Sequence, residues 1–264
     1  MLGDAVSSNR QFSFSALLVS DADNTLWDTN ALYAQAQLYL LERIEIYLQR
    51  VARAADRLAF VRSIDEELTI LHNQELGYPP EMLVIGIAEG LTGVSAKQAA
   101  QRAIRTSPSS FRFPVQDLVR SFLHHVQDQF PELRPGVAEA LPLLHSMGIL
   151  IVIATEGKVV QCEKILAHHG FSSFVSRVVE GKKTRLLFSN IAETYDHPHL
   201  KFAVGDQLGR DIHPAKASGY ATIYFPGGFR PSWESRDVAQ SDYTISSFAE
   251  VCPIILPRRC SVSS

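Results

Sequence analysis

The chain has 264 residues, a formal net charge of −3 and 46% hydrophobic residues. This length and composition suffice for one large domain or two smaller ones. The absence of a basic excess disfavours nucleic-acid binding, and no apolar run approaches the length of a membrane span. Residues 1–15 lack the pattern of a secretory signal, and the three cysteines form no C-x-x-C pair, so we expect a cytoplasmic protein.

The first predicted element is a short apolar strand that ends at two carboxylates. Leu17, Leu18 and Val19 form an unbroken apolar run, which is typical of a strand buried on both faces of a parallel sheet. Asp21 and Asp23 follow at the strand end where open parallel sheets bind ligands. Neighbouring acids repel each other unless a cation compensates, and Mg²⁺ prefers such oxygens beside a phosphate. The residues alone leave two interpretations: a magnesium site, or an acidic turn that caps the next helix.

The pattern after Trp27 is helical. Apolar residues recur at three- and four-residue steps over 30–55, and further helices are predicted at 59–75, 81–91, 96–105 and 115–129. We therefore predict a helical cap domain over 30–133, inserted into an α/β domain made of residues 1–29 and 134–264. Such an insertion is well placed to act as a lid. Tyr78 and Arg112 are candidates for substrate contact there, although an exposed surface role is the simpler interpretation for both.

From residue 135 onward, strands alternate with helices. Strands are predicted at 149–154, 174–179, 200–204, 221–225 and 243–245, and helices at 136–144, 158–169, 184–195, 212–218 and from 246. This alternation predicts a doubly wound α/β fold with a mainly parallel sheet.

Polar groups recur where the first four strands end. Because the carboxyl ends of parallel strands share one edge of a sheet, we expect these groups to lie close together. In chain order they are Asp21 and Asp23, Thr155, Lys182 and Lys183, and Asp206 with Asp211.

These groups resemble the four ordered motifs of the haloacid dehalogenase superfamily of phosphohydrolases. Asp21-Ala22-Asp23-Asn24-Thr25 resembles D-x-D-x-T, and Gly205-Asp206 with Asp211-Ile212 resembles G-D-x-x-x-x-D-I. Thr155 and one of the two lysines match the second and third motifs. The resemblance covers the whole α/β domain and implies a Rossmann-like core of that family, and the helical insertion after the first strand is similar to its C1-type cap.

The resemblance implies a Mg²⁺-dependent phosphatase that hydrolyses a small phosphorylated metabolite through an aspartyl-phosphate. Asp21 would be the nucleophile and Asp23 the general acid/base. The phosphate-binding residues would be Thr155, Glu156, Gly157 and Lys183.

The resemblance also implies how the cation is held. Mg²⁺ would be bound by Asp21, by the backbone carbonyl of Asp23 and by Asp206, with Asp211 supporting these ligands from behind. A cation is needed because a carboxylate nucleophile must approach an anionic phosphate.

The sequence leaves two assignments undecided: which lysine is the third motif, and the direction of the Glu156 side chain. The spacing to Thr184 and Phe188 favours Lys183 as the third motif, with Lys182 as the alternative. Glu156 stands where a small polar residue is common in the family. It either adds negative charge near the phosphate or points away as an acid at a helix N-terminus.

Two other functions fit part of the pattern. A phosphomutase would use the same aspartyl-phosphate, and a non-hydrolytic phospho-acceptor or binding protein would also gather Asp, Thr and Lys at strand ends. Dehalogenases of this fold lack the second acid, because a halide needs no proton, so Asp23 favours phosphate chemistry. No motif specifies the substrate, which leaves phosphoglycolate, sugar phosphates and nucleotides open, and no pattern indicates an oligomeric state.

Overall fold

The computed structural model describes residues 16–72, 78–110, 114–196, 198–227 and 240–256. They form two compact units. The α/β unit contains the described residues of 16–25, 135–226 and 240–256, and the helical unit contains those of 26–134 together with Gly227. Arg112 and the end of the helix predicted at 59–75 lie outside the described residues.

The described elements alternate in the order expected for an α/β protein with one long helical interruption. The strands are β1 (Ala16–Ser20), β2 (Ile149–Thr155), β3 (Arg177–Glu180), β4 (Lys201–Gly205), β5 (Ala221–Tyr224) and β6 (Tyr243–Thr244). The helices are α1 (Thr29–Leu48), α2 (Arg57–Leu71), α3 (Pro80–Gly90), α4 (Ala96–Arg105), α5 (Val115–Gln127), α6 (Val137–Ser146), α7 (Val159–His168), α8 (Arg185–Thr194), α9 (His213–Lys216) and α10 (Val251–Ile255). Short 3₁₀ turns lie at Pro108–Ser110 and Phe248–Glu250, and a π-helical turn lies at Leu208–Ile212.

The strands form one sheet in the order β3-β2-β1-β4-β5-β6, and each neighbouring pair is parallel. Leu18 of β1 lies opposite Ile151 of β2 on one side and Phe202 of β4 on the other. The chain moves outward from β1 to β3, returns to β4 and then moves outward on the other side. This topology confirms the predicted α/β class and brings the ends of β2, β1 and β4 side by side.

The sheet is buried as its unbroken apolar runs predict. Every residue of β1 and of β2 is buried. On one face, Leu17 and Val19 pack in a cluster with Phe188 and Ile191 of α8 and Ala215 of α9. Burying a side chain the size of Leu17 contributes about 2 kcal/mol relative to an exposed one. The core therefore fixes β1 at the centre of the sheet, next to the strand ends that carry the polar groups.

The helical unit has its own apolar core, to which α1, α2, α3, α4 and α5 all contribute. Its two chain ends are paired with each other. Trp27 and Leu133 form an antiparallel bridge, and the Arg134 N–H donates to the Leu26 carbonyl at 2.9 Å. None of the described helices combines the length and apolar composition needed to cross a bilayer.

The first helix is shorter than predicted. The periodic pattern continues to Ala55, but α1 ends at Leu48, and Gln49 adopts a left-handed conformation with φ 50°. The Glu45 carboxylate accepts a hydrogen bond from the Ala52 N–H at 2.8 Å and a bidentate pair from Arg57 at 2.9 and 2.7 Å. These contacts hold the segment after α1 as a turn that leads into α2.

Two other sequence predictions are corrected. The third strand begins at Arg177, not at Phe174, because the Phe174 N–H closes a turn on the Phe171 carbonyl at 3.0 Å. Tyr78 is not an exposed surface residue. It is half-buried and its hydroxyl donates to the Asp65 carboxylate, which also accepts from Gln37 at 2.8 Å.

Candidate active site

The structure brings the sequence-predicted groups together at the carboxyl edge of the central strands. Asp21 directly follows β1, Thr155 is the last residue of β2, and Asp206 directly follows β4. The Asp21 N–H donates to the Val204 carbonyl at 2.9 Å, which continues the pairing of β1 with β4 beyond the strand end. Lys183 reaches the same edge from the loop after β3.

Lys183 is the lysine that lies in the site. Its side chain is 7% exposed, and its ammonium donates to Asp21 and, at 2.6 Å, to Oδ1 of Asp211. Burial alone would lower the pKa of Lys183, but these two carboxylates hold it well above its ordinary value. Lys182 is exposed. Of the two lysines that the sequence leaves as alternatives, it is therefore Lys183 whose ammonium lies beside the carboxylates.

Asp21 is a buried carboxylate with both oxygens engaged. Oδ1 accepts from Lys183, and Oδ2 accepts from the Thr25 hydroxyl at 2.8 Å. Burial raises the pKa of Asp21 to about 7; Lys183 opposes this rise, and the neighbouring Asp211 and Asp23 add to it. The ionised form of Asp21 therefore depends on nearby positive charge.

Three carboxylates surround a position suited to a cation. Asp21, Asp206 and Asp211 each present an oxygen within 4.8 Å of the others, and their side chains are buried. The Lys183 ammonium contacts two of these acids, Asp21 and Asp211. Three hard carboxylate groups this close together in a buried setting suit a divalent cation such as Mg²⁺. The residues present therefore fit the metal that the sequence implies.

Asp211 is held by the turn that follows β4. Its Oδ2 accepts from the Gln207 N–H at 2.9 Å, while its Oδ1 accepts from Lys183. A Cβ added at Gly205 would overlap with Cβ and Cγ of Asp211. Glycine at the end of β4 is thus what allows the Asp211 carboxylate to pack against the strand.

Thr155, Gly157 and Asp23 lie around one small space. The Gly157 N–H donates to the Thr155 hydroxyl oxygen at 2.9 Å. A Cβ at Gly157 would lie 3.3 Å from Thr155 Oγ1 and 3.5 Å from Oδ2 of Asp23. Asp23 is only partly buried, unlike Asp21. Asp23 is therefore the more solvent-accessible of the two acids.

Glu156 points towards the neighbouring loops. Its Oε1 accepts from the Lys183 N–H at 3.0 Å, and its Oε2 accepts from Arg210 at 3.1 Å. Sequence reasoning missed Arg210. Its position inside the fourth motif, directly before Asp211, is the signal that marks it as a residue near the site.

The sequence matches the haloacid dehalogenase-like hydrolase family over residues 16–219. Among curated proteins, it is similar to a glyceraldehyde 3-phosphate phosphatase of Methanocaldococcus jannaschii, with 26% identity over 148 residues. That alignment covers 50% of this chain and 60% of the relative, so the chain matches less than two thirds of the relative's length.

Solved structures share the fold. A HAD-hydrolase of Bacillus subtilis, YfnB, bound to magnesium, superposes with a TM-score of 0.61 at 17% identity, covering 92% of this chain and 98% of that one. A predicted phosphoglycolate phosphatase from Haemophilus somnus superposes with a TM-score of 0.62 at 18% identity, covering 91% and 97%. At these identities the likeness concerns the fold alone.

Proposed function

The chain belongs to the haloacid dehalogenase-like hydrolase family, and on this premise we propose that it is a Mg²⁺-dependent phosphatase of a small phosphorylated metabolite. The observation that carries the proposal is the buried contact of Lys183 with Asp21 and Asp211 at the sheet edge. A cation beside a buried carboxylate lowers the repulsion that an incoming phosphate meets. The arrangement therefore suits a carboxylate that attacks phosphorus.

In the proposed reaction, Asp21 is the nucleophile and Asp23 the general acid/base. An oxygen of Asp21 forms a bond to phosphorus while the bond to the leaving oxygen breaks, and Asp23 gives that oxygen a proton. Asp23 then takes a proton from water, whose oxygen bonds to phosphorus and releases Asp21 with inorganic phosphate. The partial exposure of Asp23 and the burial of Asp21 support this division of roles.

The remaining groups would bind the phosphoryl oxygens. Thr155, Lys183 and the segment Glu156–Gly157 border the space beside Asp23 and Asp21. Hydroxyl, ammonium and backbone N–H donors in a buried site stabilise the charge of a transferring phosphoryl group. We assign Thr155 and Lys183 as the side chains that do so.

Asp21, Asp206 and the backbone carbonyl of Asp23 are the proposed ligands of Mg²⁺. Asp211 supports them from behind, as its contacts with Lys183 and the Gln207 N–H suggest. When bound, the ion would neutralise charge on the phosphoryl oxygens.

Two of the similar proteins support a proposal about the substrate class. One is a phosphatase of glyceraldehyde 3-phosphate, and one solved structure carries the name of a phosphoglycolate phosphatase. Both compounds are small carbon skeletons with one phosphate ester, and we propose a substrate of that kind. A cytoplasmic location is part of the proposal; Cys162 and Cys252 are free thiols, as a reducing compartment would keep them.

Turnover of p-nitrophenyl phosphate with Mg²⁺, by wild type and by Asp21→Asn, tests the proposal. We expect repeated turnover that the substitution lowers by at least ~10³-fold, because the nucleophile is lost. The matched control is Asp117→Asn, which alters an exposed acid in the helical unit and should retain wild-type turnover. A single stable phosphorylation would point instead to a phospho-acceptor, and turnover unaffected by Asp21→Asn would refute the assignment.

A further inference from the structure

One carboxylate links three of the four loops that form the site. Glu156, in the loop after β2, accepts from the backbone N–H of Lys183 after β3 at 3.0 Å and from Arg210 after β4 at 3.1 Å. The Glu156 side chain is only 14% exposed. Its two oxygens are therefore both engaged by protein groups of the neighbouring loops.

The bond to Lys183 acts on the backbone of the residue whose ammonium lies between Asp21 and Asp211. A lysine side chain has several rotatable bonds, so the position of its ammonium depends on where its backbone is held. The loop between β3 and α8 is short, and Glu156 provides a hydrogen bond to it from the neighbouring strand end.

The ion pair with Arg210 partly neutralises the negative charge of Glu156. An acid next to Thr155 would repel an incoming phosphate, and pairing with a guanidinium offsets that repulsion. Arg210 directly precedes Asp211, so the same ion pair also ties the turn that carries Asp211 to the loop after β2.

We propose that Glu156 is a positioning residue, which holds the backbone of Lys183 so that its ammonium meets Asp21, and that Arg210 neutralises Glu156 for this role. The proposal rests on the phosphatase function proposed above. In this proposal the Glu156 side chain affects catalysis through the position of Lys183 and does not itself bind the phosphate.

The chain offers a matched control at the same sheet edge. Glu180, the last residue of β3, also accepts from one backbone N–H, that of Val159 at 3.1 Å, and from one cation, Lys158 at 2.6 Å. The chemistry of the two acids is the same, but these contacts of Glu180 go to the start of α7 and not to Lys183.

The experiment compares kcat and KM for p-nitrophenyl phosphate with Mg²⁺ in Glu156→Ala, Glu156→Gln and Glu180→Ala. We expect Glu156→Ala to lower kcat about 10- to 100-fold, since misplacing a reacting group costs rate even when binding persists. KM should change by less than about threefold. Glu156→Gln should recover part of kcat, because its amide oxygen still accepts from the Lys183 N–H. Glu180→Ala should keep wild-type kcat.

A double substitution separates positioning from a general structural effect. If Glu156 acts through Lys183, Glu156→Ala combined with Lys183→Ala loses no more activity than Lys183→Ala alone. Independent, multiplicative losses would overturn the proposal, as would equal kcat values for Glu156→Ala and Glu180→Ala. Should Glu156→Ala fail to fold, the isosteric Glu156→Gln in the same cycle with Lys183→Ala provides the test.

The outcomes distinguish this inference from the function on which it rests. If Asp21→Asn keeps the turnover of the wild type, the proposed function is refuted. If Asp21→Asn abolishes turnover but Glu156→Ala keeps wild-type turnover, only the proposed role of Glu156 is refuted.

Discussion

At the scale of single residues, the central feature is an ammonium buried between two carboxylates. Lys183 is 7% exposed and donates to both Asp21 and Asp211. Removing one partner of a buried ion pair leaves the other charge uncompensated. The resulting loss of folding free energy is larger than the net stabilisation that the intact pair provides. The arrangement is therefore sensitive to any loss of the lysine.

Lys183→Met and Lys182→Met should behave very differently. We expect Lys183→Met to lower the free energy of unfolding by about 3 kcal/mol in metal-free buffer, because two buried acids lose their cation. It should also lower kcat at least ~100-fold. Lys182→Met, at an exposed neighbouring position, should change stability by less than about 0.5 kcal/mol. Urea unfolding and phosphatase assays of both variants measure this, and a larger effect at residue 182 would contradict the assignment.

At this scale, the positions that the sequence can predict are those tied to a strand end. Asp21 and Asp206 directly follow a strand and Thr155 is the last residue of one, so the apolar runs suffice to place all three. Their roles in the reaction stay predictions. The direction of Glu156 was not predictable, because it depends on Arg210, which is 54 positions away in sequence. Sequence spacing carries no information about such a partner until the sheet order is known.

At the scale of elements, the junction of α1 and α2 shows how one side chain ends a helix. Glu45 lies in the last turn of α1, and its carboxylate binds the Ala52 N–H and the Arg57 guanidinium. Burial alone would raise the pKa of Glu45, but the bonds from Arg57 and Ala52 outweigh it and lower the pKa. The ionised carboxylate is thus favoured by the folded state.

Glu45→Gln should destabilise the helical unit by about 1.5–3 kcal/mol at pH 7, the typical contribution of hydrogen bonds to a charged group. Because the folded pKa of Glu45 lies below the unfolded one, its stabilisation is present above the ordinary pKa of a glutamate. It is lost as the pH falls through the lower, folded value. The difference between wild type and variant should therefore shrink on acidification.

Denaturant unfolding followed by circular dichroism, at pH 7 and at progressively lower pH, measures this difference. The control is Glu89→Gln, which removes the more exposed pair with Arg102 and should cost at most about 1 kcal/mol. A gap between wild type and Glu45→Gln that widens on acidification would contradict the prediction.

Element types were predictable from sequence, but some ends were not. The unbroken apolar runs of β1 and β2 predict strands that are buried on both faces, and both are. The periodic pattern predicts too late an end for α1, because it continues while the chain turns at Gln49. The apolar pattern predicts too early a start for β3, because the rings of Phe171 and Phe174 pack against each other in a turn. In both cases side-chain contacts override the local pattern.

At the scale of the whole molecule, the sheet order unites groups from distant parts of the chain. Asp21 and Asp206 directly follow the first and fourth strands in sequence, and β1 and β4 are hydrogen-bonded neighbours in the sheet. Their carboxylates, with that of Asp211, form the acidic cluster. The alternation of strands and helices was enough to predict this convergence, since parallel strands end at a common edge.

Mg²⁺ should stabilise the folded protein through this cluster. A ligand that binds only the folded state raises the free energy of unfolding by about 2.7 kcal/mol at 100 times its Kd. We expect a concentration-dependent rise in thermal midpoint with Mg²⁺ and its reversal by EDTA. Asp206→Asn should abolish the rise, and Glu163→Gln, at an exposed position in α7, should retain it. An undiminished rise in Asp206→Asn would place the cation elsewhere.

The pairing of Leu26 with Arg134 has a consequence for how such a chain can diversify. The first and last residues of the insertion are hydrogen-bonded to each other, so its two ends lie close together. The flanking sequence therefore needs no extra residues to connect to it. Everything between the two ends can be lengthened, shortened or exchanged wholesale without disturbing strand register. Selection can then alter the inserted segment while the sequence on either side of it, which carries the proposed site, is conserved.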